Sequence, residues 1–303
     1  MTMDPGTMRQ AAPASNRPNL SGVLWAVVGV GIFAFIFVSG RLSGTGVSAL
    51  QVIWFRYLGG FVTVVAGALL TQRLGSALAT GQLPVHALRA AAGGFGGVAA
   101  VYAATHMPVA SASAIGLLDG LFTLALATFV LGERATRRQW LATLGCVAGA
   151  LIVLGSQGAF ADWRGEFARP AAVAAGGAAL FALESILIKR LVHAERSATV
   201  LFYVNLFGSL ILGWPALAAW QPLSAGWVIA FLGLGPLAIL AQYCNLLAFR
   251  RTTAGIAGAA RYAWIVHATF LGWLCFDQTV TVATWVGLGI VVGSGCRLAL
   301  LRS

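Results

Sequence analysis

Four charged residues lie inside stretches of sequence that are otherwise apolar. They are two arginines and two carboxylates: Arg56, Asp119, Glu184 and Arg261. A charge at the middle of a bilayer costs about 2.5 to 3.5 kcal/mol on insertion scales, so such side chains face a cavity or one another. A guanidinium binds a carboxylate and a carboxylate binds an ammonium group. The four residues therefore predict either a site for a small zwitterion or ion pairs that only hold helices in register.

The positions of these charges along their apolar stretches predict how they pair. Counted from the outer end of each stretch at about 1.5 Å per residue, Arg56 and Asp119 fall at similar depths. Arg261 and Glu184 also fall at similar depths. We therefore expect the pairs Arg56–Asp119 and Arg261–Glu184.

Aromatic and amide side chains near these charges form a second group of candidates. Deep aromatic rings and an imidazole could line a cavity, and an amide within lipid must find a hydrogen-bond partner inside the helix bundle. The predicted substrate-binding residues are therefore Arg56, Asp119, Glu184, Arg261, Trp54, Tyr57, Asn205, Tyr262, Trp264 and His267.

Ten apolar stretches must position these residues. The chain of 303 residues is 59% hydrophobic and only 9% charged, whereas a soluble domain carries about 25% charged residues. About 20 apolar residues in a helix cross a hydrocarbon core about 30 Å thick. We predict an all-α membrane protein with ten transmembrane helices, at 20–40, 47–71, 84–105, 108–131, 137–155, 170–191, 198–219, 224–249, 254–276 and 279–301.

The second five stretches repeat landmarks of the first five. An offset of 148 residues aligns Phe33 with Phe181 and Arg41 with Lys189, and an offset of 144 aligns Glu133 with Asp277. Five is an odd number of crossings, so the second half enters the membrane from the opposite side. We predict two inverted five-helix repeats, 20–155 and 170–303, a disordered cytoplasmic tail at 1–19 and an extracytoplasmic linker at 156–169.

Basic residues divide unequally between the two sides of these stretches. Fourteen of the 19 lysines and arginines, with Arg89 among them, fall on one side, and only Arg41, Arg164 and Arg169 fall on the other. The positive-inside rule places both termini in the cytoplasm. The role of these basic residues in orienting the helices also explains the net charge of +11. We therefore expect a lipid bilayer, and no nucleic acid, as the partner.

Glycine spacing predicts where helices approach closely. The pairs Gly93/Gly97, Gly145/Gly149 and Gly289/Gly293 each have a small-xxx-small spacing. Small residues at this spacing let two helix backbones come together in a membrane. We expect these pairs to be helix contacts. The glycines next to the arginines, such as Gly59 and Gly60, either pack helices or leave room for a ligand.

Several motifs resemble a known family. The segment from Gly116 to Glu133, the glycine-rich helix from Arg138 onward and the Phe55-Arg56-Tyr57 element are similar to those of EamA-type carriers in the drug/metabolite transporter superfamily. The resemblance implies a ten-helix carrier in a bacterial inner membrane that exports amino acids or related metabolites. The second half departs from the family pattern, because Asp277 stands where glutamate is usual and Arg261 and Tyr262 replace small residues.

These features favour a transporter over an enzyme. The acidic and histidine residues show no spacing that would build a catalytic cluster. The four cysteines and four histidines are scattered without the spacing of metal ligands, so we expect no metal site and no cofactor. The predicted function is export of neutral or aromatic amino acids by alternating access. A multidrug or nucleoside exporter is the alternative within the class, and a membrane-embedded enzyme or channel subunit is the alternative outside it.

Overall fold

The computed structural model describes residues 19–42, 48–72, 75, 78–107, 109–156, 160, 167–276 and 280–301. The predicted N-terminal tail, apart from Asn19, lies outside the described residues. So do most of the predicted linker at 156–169 and the position of Asp277.

Ten helices, three of them interrupted, account for nearly all of the described chain. Their bounds are α1 (Leu20–Leu42), α2 (Ala49–Leu70), α3 (Leu83–His106), α4 (Val109–Gly116 and Leu118–Val130), α5 (Arg137–Ser156), α6 (Ala168–Ala194), α7 (Ser197–Ala218), α8 (Ala225–Gly233 and Gly235–Arg251), α9 (Ala254–Ala260 and Ala263–Phe276) and α10 (Val282–Leu300). The predicted ten-helix architecture is confirmed. Long apolar runs form helices because, in lipid, a helix satisfies all the backbone polar groups of the run.

Among the described residues, seven helical segments are long and apolar enough to cross a membrane. They are Leu50–Leu70, Ala112–Val130, Arg137–Ser156, Ala168–Ala194, Ser197–Ala218, Ala225–Arg251 and Val282–Leu300. The chain is therefore a multi-pass membrane protein. The remaining helices, α1, α3 and α9, complete the bundle of ten.

Helices α4, α8 and α9 are each interrupted, which the apolar patterns did not predict. The interruptions lie at Leu117, at Leu234 and at Arg261–Tyr262. At the last of these the backbone N–H groups of Arg261 and Tyr262 donate to carbonyls only three residues earlier. Such tightened turns leave backbone carbonyls available to other groups. Two of the interrupted helices, α4 and α9, pack against each other.

The packing follows a regular pattern. Helix α5 packs along α10, α2 along α7 and α4 along α9. Helix α3 packs along α6, and α1 packs along α8. When every helix is exchanged for the one five positions away, this set of pairs is unchanged.

Glycines bring α5 and α10 into backbone contact. A Cβ added at Gly149 would lie 2.6 Å from the carbonyl oxygen of Gly287, and one added at Gly287 would lie 2.6 Å from that of Gly149. The prediction for Gly149 is confirmed. The prediction for Gly289 and Gly293 is wrong, since a Cβ at either position would meet no described atom within 4 Å. The contact face of α10 is set by Gly287 and Val291, two residues earlier in each case.

Two charged side chains hold the connection between α8 and α9. The Lys189 Nζ on α6 donates to the carbonyl oxygens of Phe249 (2.7 Å) and Thr252 (2.5 Å). The Glu133 carboxylate, which follows α4, accepts from the backbone N–H of Ala254 at 2.8 and 3.0 Å. Cations at a helix C-terminus and anions at an N-terminus complement the helix dipole. Burial raises the pKa of Glu133 above its ordinary value of 4.5, and the bond from Ala254 offsets part of that rise.

Candidate substrate-binding site

An ion pair joins the interrupted regions of α4 and α9. Asp119, the second residue of the second part of α4, lies 2.9 Å from the guanidinium of Arg261. The side chains are 14% and 27% exposed, so a small molecule in the bundle could reach both. Arg261 also donates to the Ser185 hydroxyl at 3.1 Å, and its guanidinium lies over the ring of Phe181 at 5.8 Å. Three helices, α4, α6 and α9, therefore meet at one arginine.

The two helix interruptions also contact each other directly. The hydroxyl of Tyr262 donates to the carbonyl oxygen of Leu117 at 2.5 Å, and Tyr262 is buried. Gly120 leaves room for this ring, because a Cβ there would lie 2.6 Å from the hydroxyl. A carbonyl at a helix interruption thus finds its partner across the α4–α9 contact.

A second, looser ion pair joins α3 and α6. The Nε of Arg89 lies 3.8 Å from the carboxylate of Glu184. Arg89 is almost fully buried and Glu184 is 18% exposed. The carboxylate lies over Gly93, where a Cβ would come within 2.8 Å of it. Arg89 also donates weakly to the Val200 carbonyl at 3.4 Å.

Both predicted charge pairs are wrong. Asp119 pairs with Arg261 and Glu184 pairs with Arg89, so no predicted pair forms. The depth comparison treated each helix as straight and ignored which helices are neighbours. Helix α4 packs on α6 and α9, whereas α2 packs on α7 and α8. Arg89, assigned to the cytoplasmic face, lies instead inside α3. A signal was available, because Arg89 stood five residues inside the predicted span 84–105.

Arg56 lies apart from these pairs. Its guanidinium lies 4.2 Å from the centre of the Tyr57 ring and 5.5 Å from that of Phe33 on α1. The side chain is partly exposed. Within the described part of the chain, no carboxylate lies within ion-pair distance of it.

Asn205 is a packing residue in this structure. It is fully buried, its amide donates to the Leu201 carbonyl at 2.7 Å, and it exchanges hydrogen bonds of 2.9 and 3.2 Å with Gln242. The contact with Gln242 links α7 to α8. Both amides are satisfied within the protein, as burial in lipid requires.

The other aromatic candidates lie at several different contacts. The Trp54 indole donates to the Ser209 carbonyl at 3.1 Å and packs edge-on to Trp220. His267 contacts its own helix through the Ala263 carbonyl at 2.8 Å, and its ring lies against Gly31 of α1. Trp264 follows the α9 interruption and is half-buried. The structure thus brings together Asp119, Arg261 and Tyr262, and leaves Trp54 and His267 at separate helix contacts.

Comparison with known proteins identifies a family and a shared fold. The model of the EamA-like transporter family matches residues 20–155 and 169–298. A crystal structure of a protein that is 19% identical aligns with a TM-score of 0.78, covering 94% of this chain and 96% of the other. At that identity the likeness concerns the fold alone.

Characterised relatives carry different small molecules. The pseudopaline exporter of Pseudomonas aeruginosa is 26% identical over 288 residues, which is 93% of this chain and 96% of the relative. The riboflavin transporter of Brucella anthropi is 24% identical over 88% of this chain and 94% of its own. The S-adenosylmethionine uptake transporter of Rickettsia prowazekii is 24% identical over 90% of each chain. These relatives are transporters, and their named cargoes differ widely.

Proposed function

Because the chain belongs to the EamA-like transporter family, we propose that it is a secondary transporter that exports small metabolites from the cytoplasm by alternating access. One observation carries the proposal. The partly exposed pair Asp119–Arg261 lies where the interruptions of α4 and α9 meet. Interrupted helices near the midplane are typical of transporter binding sites, since they free backbone and side-chain groups for cargo.

The arrangement supports an inverted repeat. The family model matches each half of the chain in turn. The packing pairs are unchanged when each helix is exchanged for its counterpart five positions away. The interruptions in α4 and α9 are also counterparts. Alternating access would then be a rocking of one half against the other around the site.

We propose an amino acid or a related metabolite that carries a carboxylate, most simply one with an apolar or aromatic side chain, as the cargo. Arg261 and Arg56 offer donors for its carboxylate, and Asp119 and Glu184 offer acceptors for an ammonium group. The half-buried Trp264 offers ring surface. Ligand pockets in proteins generally combine apolar contact with a few polar or charged groups. The relation to the pseudopaline exporter supports export as the direction.

Counterflow in proteoliposomes tests this proposal. Vesicles preloaded with unlabelled phenylalanine should accumulate labelled phenylalanine through the protein, which neither an enzyme nor a channel produces. Asp119→Asn and Arg261→Gln should each reduce the rate at least about tenfold, because each leaves a charge unpaired in a low-dielectric site. Arg137→Gln is the matched control, since Arg137 is exposed at the start of α5. Flux of nucleosides or cationic drugs with no flux of any amino acid would favour the multidrug or nucleoside alternative instead.

A further inference from the structure

Arg56 is the one mid-membrane charge without an opposite charge among the described residues. The chain has eight acidic residues. Four are described, and each has another partner: Asp119 pairs with Arg261, Glu184 with Arg89, Glu133 with the α9 backbone and Glu195 with the Thr80 hydroxyl. The other four stand in the sequence in the N-terminal tail, in the linker and just past the end of α9.

The charges that the structure describes within the bundle therefore do not balance. Arg89 and Glu184 cancel, and Arg261 and Asp119 cancel. Arg56 adds one positive charge, seven residues after the first residue of α2 and so about 10 Å along that helix. An arginine this far into a membrane helix normally has a partner, because an isolated charge in lipid is costly. A bound cargo can supply the missing negative charge.

Arg56 and Arg261 each lie over one of two phenylalanines that correspond in the two halves of the chain. Phe33 and Phe181 are aligned by the offset of 148 residues, and each is thirteen residues after the first residue of its helix. The guanidinium of Arg56 lies over Phe33, and that of Arg261 lies over Phe181. The two arginines themselves come from helices that are not counterparts, α2 and α9, but each lies over one of the two corresponding phenylalanines. Among the described residues, Arg261 has a carboxylate beside it and Arg56 has none.

The ring that supports Arg56 is held firmly. Tyr57 is buried, and its ring lies against Gly208 of α7, where a Cβ would come within 2.5 Å. Its neighbours include Ala90 of α3 and Val204 of α7. The guanidinium is therefore held by cation–π contacts, and no described residue accepts a hydrogen bond from it, so its N–H donors are available to bind a carboxylate in a bidentate manner.

We infer that Arg56, between Phe33 and Tyr57, is the anion subsite of the carrier, and that the cargo is an organic acid bearing one more negative than positive charge. The inference rests on the proposed function and narrows its substrate class. A carboxylate on Arg56 would make the interior neutral. A neutral zwitterion would leave one positive charge uncompensated, because its ammonium group would have to take Asp119 or Glu184 from an arginine.

Three phenyl compounds separate the possibilities by binding. They are 3-phenylpropanoate, which has only the acid group, phenylalanine, which has both groups, and phenylalaninamide, which has only the amine. Each is added to the purified full-length protein in detergent, and the apparent Kd is read from the shift in thermal unfolding. We expect 3-phenylpropanoate to bind at least about tenfold more tightly than phenylalanine, and phenylalaninamide to bind weakest. A tenfold change in Kd corresponds to about 1.4 kcal/mol.

Substitutions at the subsite should remove this order. Arg56→Gln should abolish the advantage of the acid over the amide, and Arg56→Lys should retain part of it, because lysine keeps the charge without the bidentate geometry. Phe33→Leu serves if Arg56→Gln does not fold, and should weaken acid binding several-fold. Arg251→Gln is the matched control, since Arg251 also lies over a ring, that of Trp25 at 5.6 Å, but is exposed at the end of α8.

The outcomes separate this inference from the proposed function. Tighter binding of phenylalanine than of 3-phenylpropanoate overturns the inference and leaves amino-acid transport standing. An acid preference that survives in both Arg56→Gln and Phe33→Leu also overturns it. Acid binding that depends on Arg56, in a protein that shows no counterflow, would uphold the subsite and refute the transport proposal. If none of the three compounds stabilises the wild-type protein, the inference is wrong.

Discussion

At the scale of single residues, Asp119 and Arg261 neutralise each other across two helices. The pair is partly exposed and shares Arg261 with the Ser185 hydroxyl. Removing one partner leaves the other charge without compensation in a low-dielectric interior, which is far costlier than replacing both. Mutation can therefore show whether Asp119 and Arg261 are each other's ion-pair partners.

A charge exchange tests this pair. Asp119→Asn and Arg261→Gln should each destabilise the protein by about 1 to 3 kcal/mol, a range reduced from that of fully buried pairs because both side chains are partly exposed. The double variant Asp119→Arg/Arg261→Asp should recover most of that loss, measured as thermal stability in detergent. Exchanging Arg56 with Asp119 should recover nothing. Recovery in that second exchange would contradict the structure.

Glu133 gives the stability a dependence on pH. Burial raises its folded-state pKa above the ordinary 4.5. The folded state then binds more protons than the unfolded state between those two values, so stability falls as pH rises through that window. Thermal unfolding measured from about pH 4.5 upward should show this decline in the wild-type protein, since 4.5 is the lower edge of the window. Glu133→Gln should flatten it. An equal decline in both proteins would assign the effect to another group.

At the scale of helices, α10 carries one glycine that contacts a neighbouring helix and another that does not. Gly287 lies against the backbone of Gly149 on α5, whereas a Cβ on Gly289 would meet no described atom within 4 Å. The two glycines are on the same helix and differ only in the face they occupy. They form a matched pair for measuring how closely α5 and α10 must approach.

Alanine substitution should separate these glycines. Gly287→Ala forces the two backbones apart and should cost about 1 to 3 kcal/mol, the usual range for overpacking. Gly289→Ala should be neutral or slightly stabilising, because alanine favours the helix by up to about 1 kcal/mol. The midpoint of thermal unfolding reports both. Equal effects at the two positions would show that Gly287 is not a packing contact.

At the scale of the whole molecule, the proposed inverted repeat and the positive-inside rule together predict the orientation. Both termini should be cytoplasmic, and the segment between α5 and α6 should be outside. Arg89 no longer counts as a cytoplasmic residue, since it is buried in α3. The remaining lysines and arginines still lie mostly on the predicted cytoplasmic side.

Cysteine labelling checks this orientation. A single cysteine at Asp162, in a variant lacking the four native cysteines, should react with a membrane-impermeant maleimide in intact cells. A cysteine at Arg134, in the connection between α4 and α5, should react only after the inner face is opened. The reverse pattern of labelling would overturn the orientation.

The sequence by itself determined the number and limits of the helices and the small-residue contact at Gly149. These properties are local, because the length and apolarity of a segment decide whether it can cross a bilayer. It also identified Asp119, Glu184 and Arg261 as charges within membrane helices, since a charged residue in an apolar run can be recognised without knowing how the helices pack.

Only the tertiary structure decided which charges meet. Asp119 and Arg261 are 142 positions apart, and their contact depends on α4 packing against α9. Hydropathy averages over a whole span and so does not register a single turn at Leu117. For the same reason, the prediction from the sequence placed Arg89 on the cytoplasmic surface and paired Arg56 with Asp119. The surplus charge on Arg56 emerged only when every described carboxylate had been matched to its neighbour, because charge balance is a property of the assembled bundle.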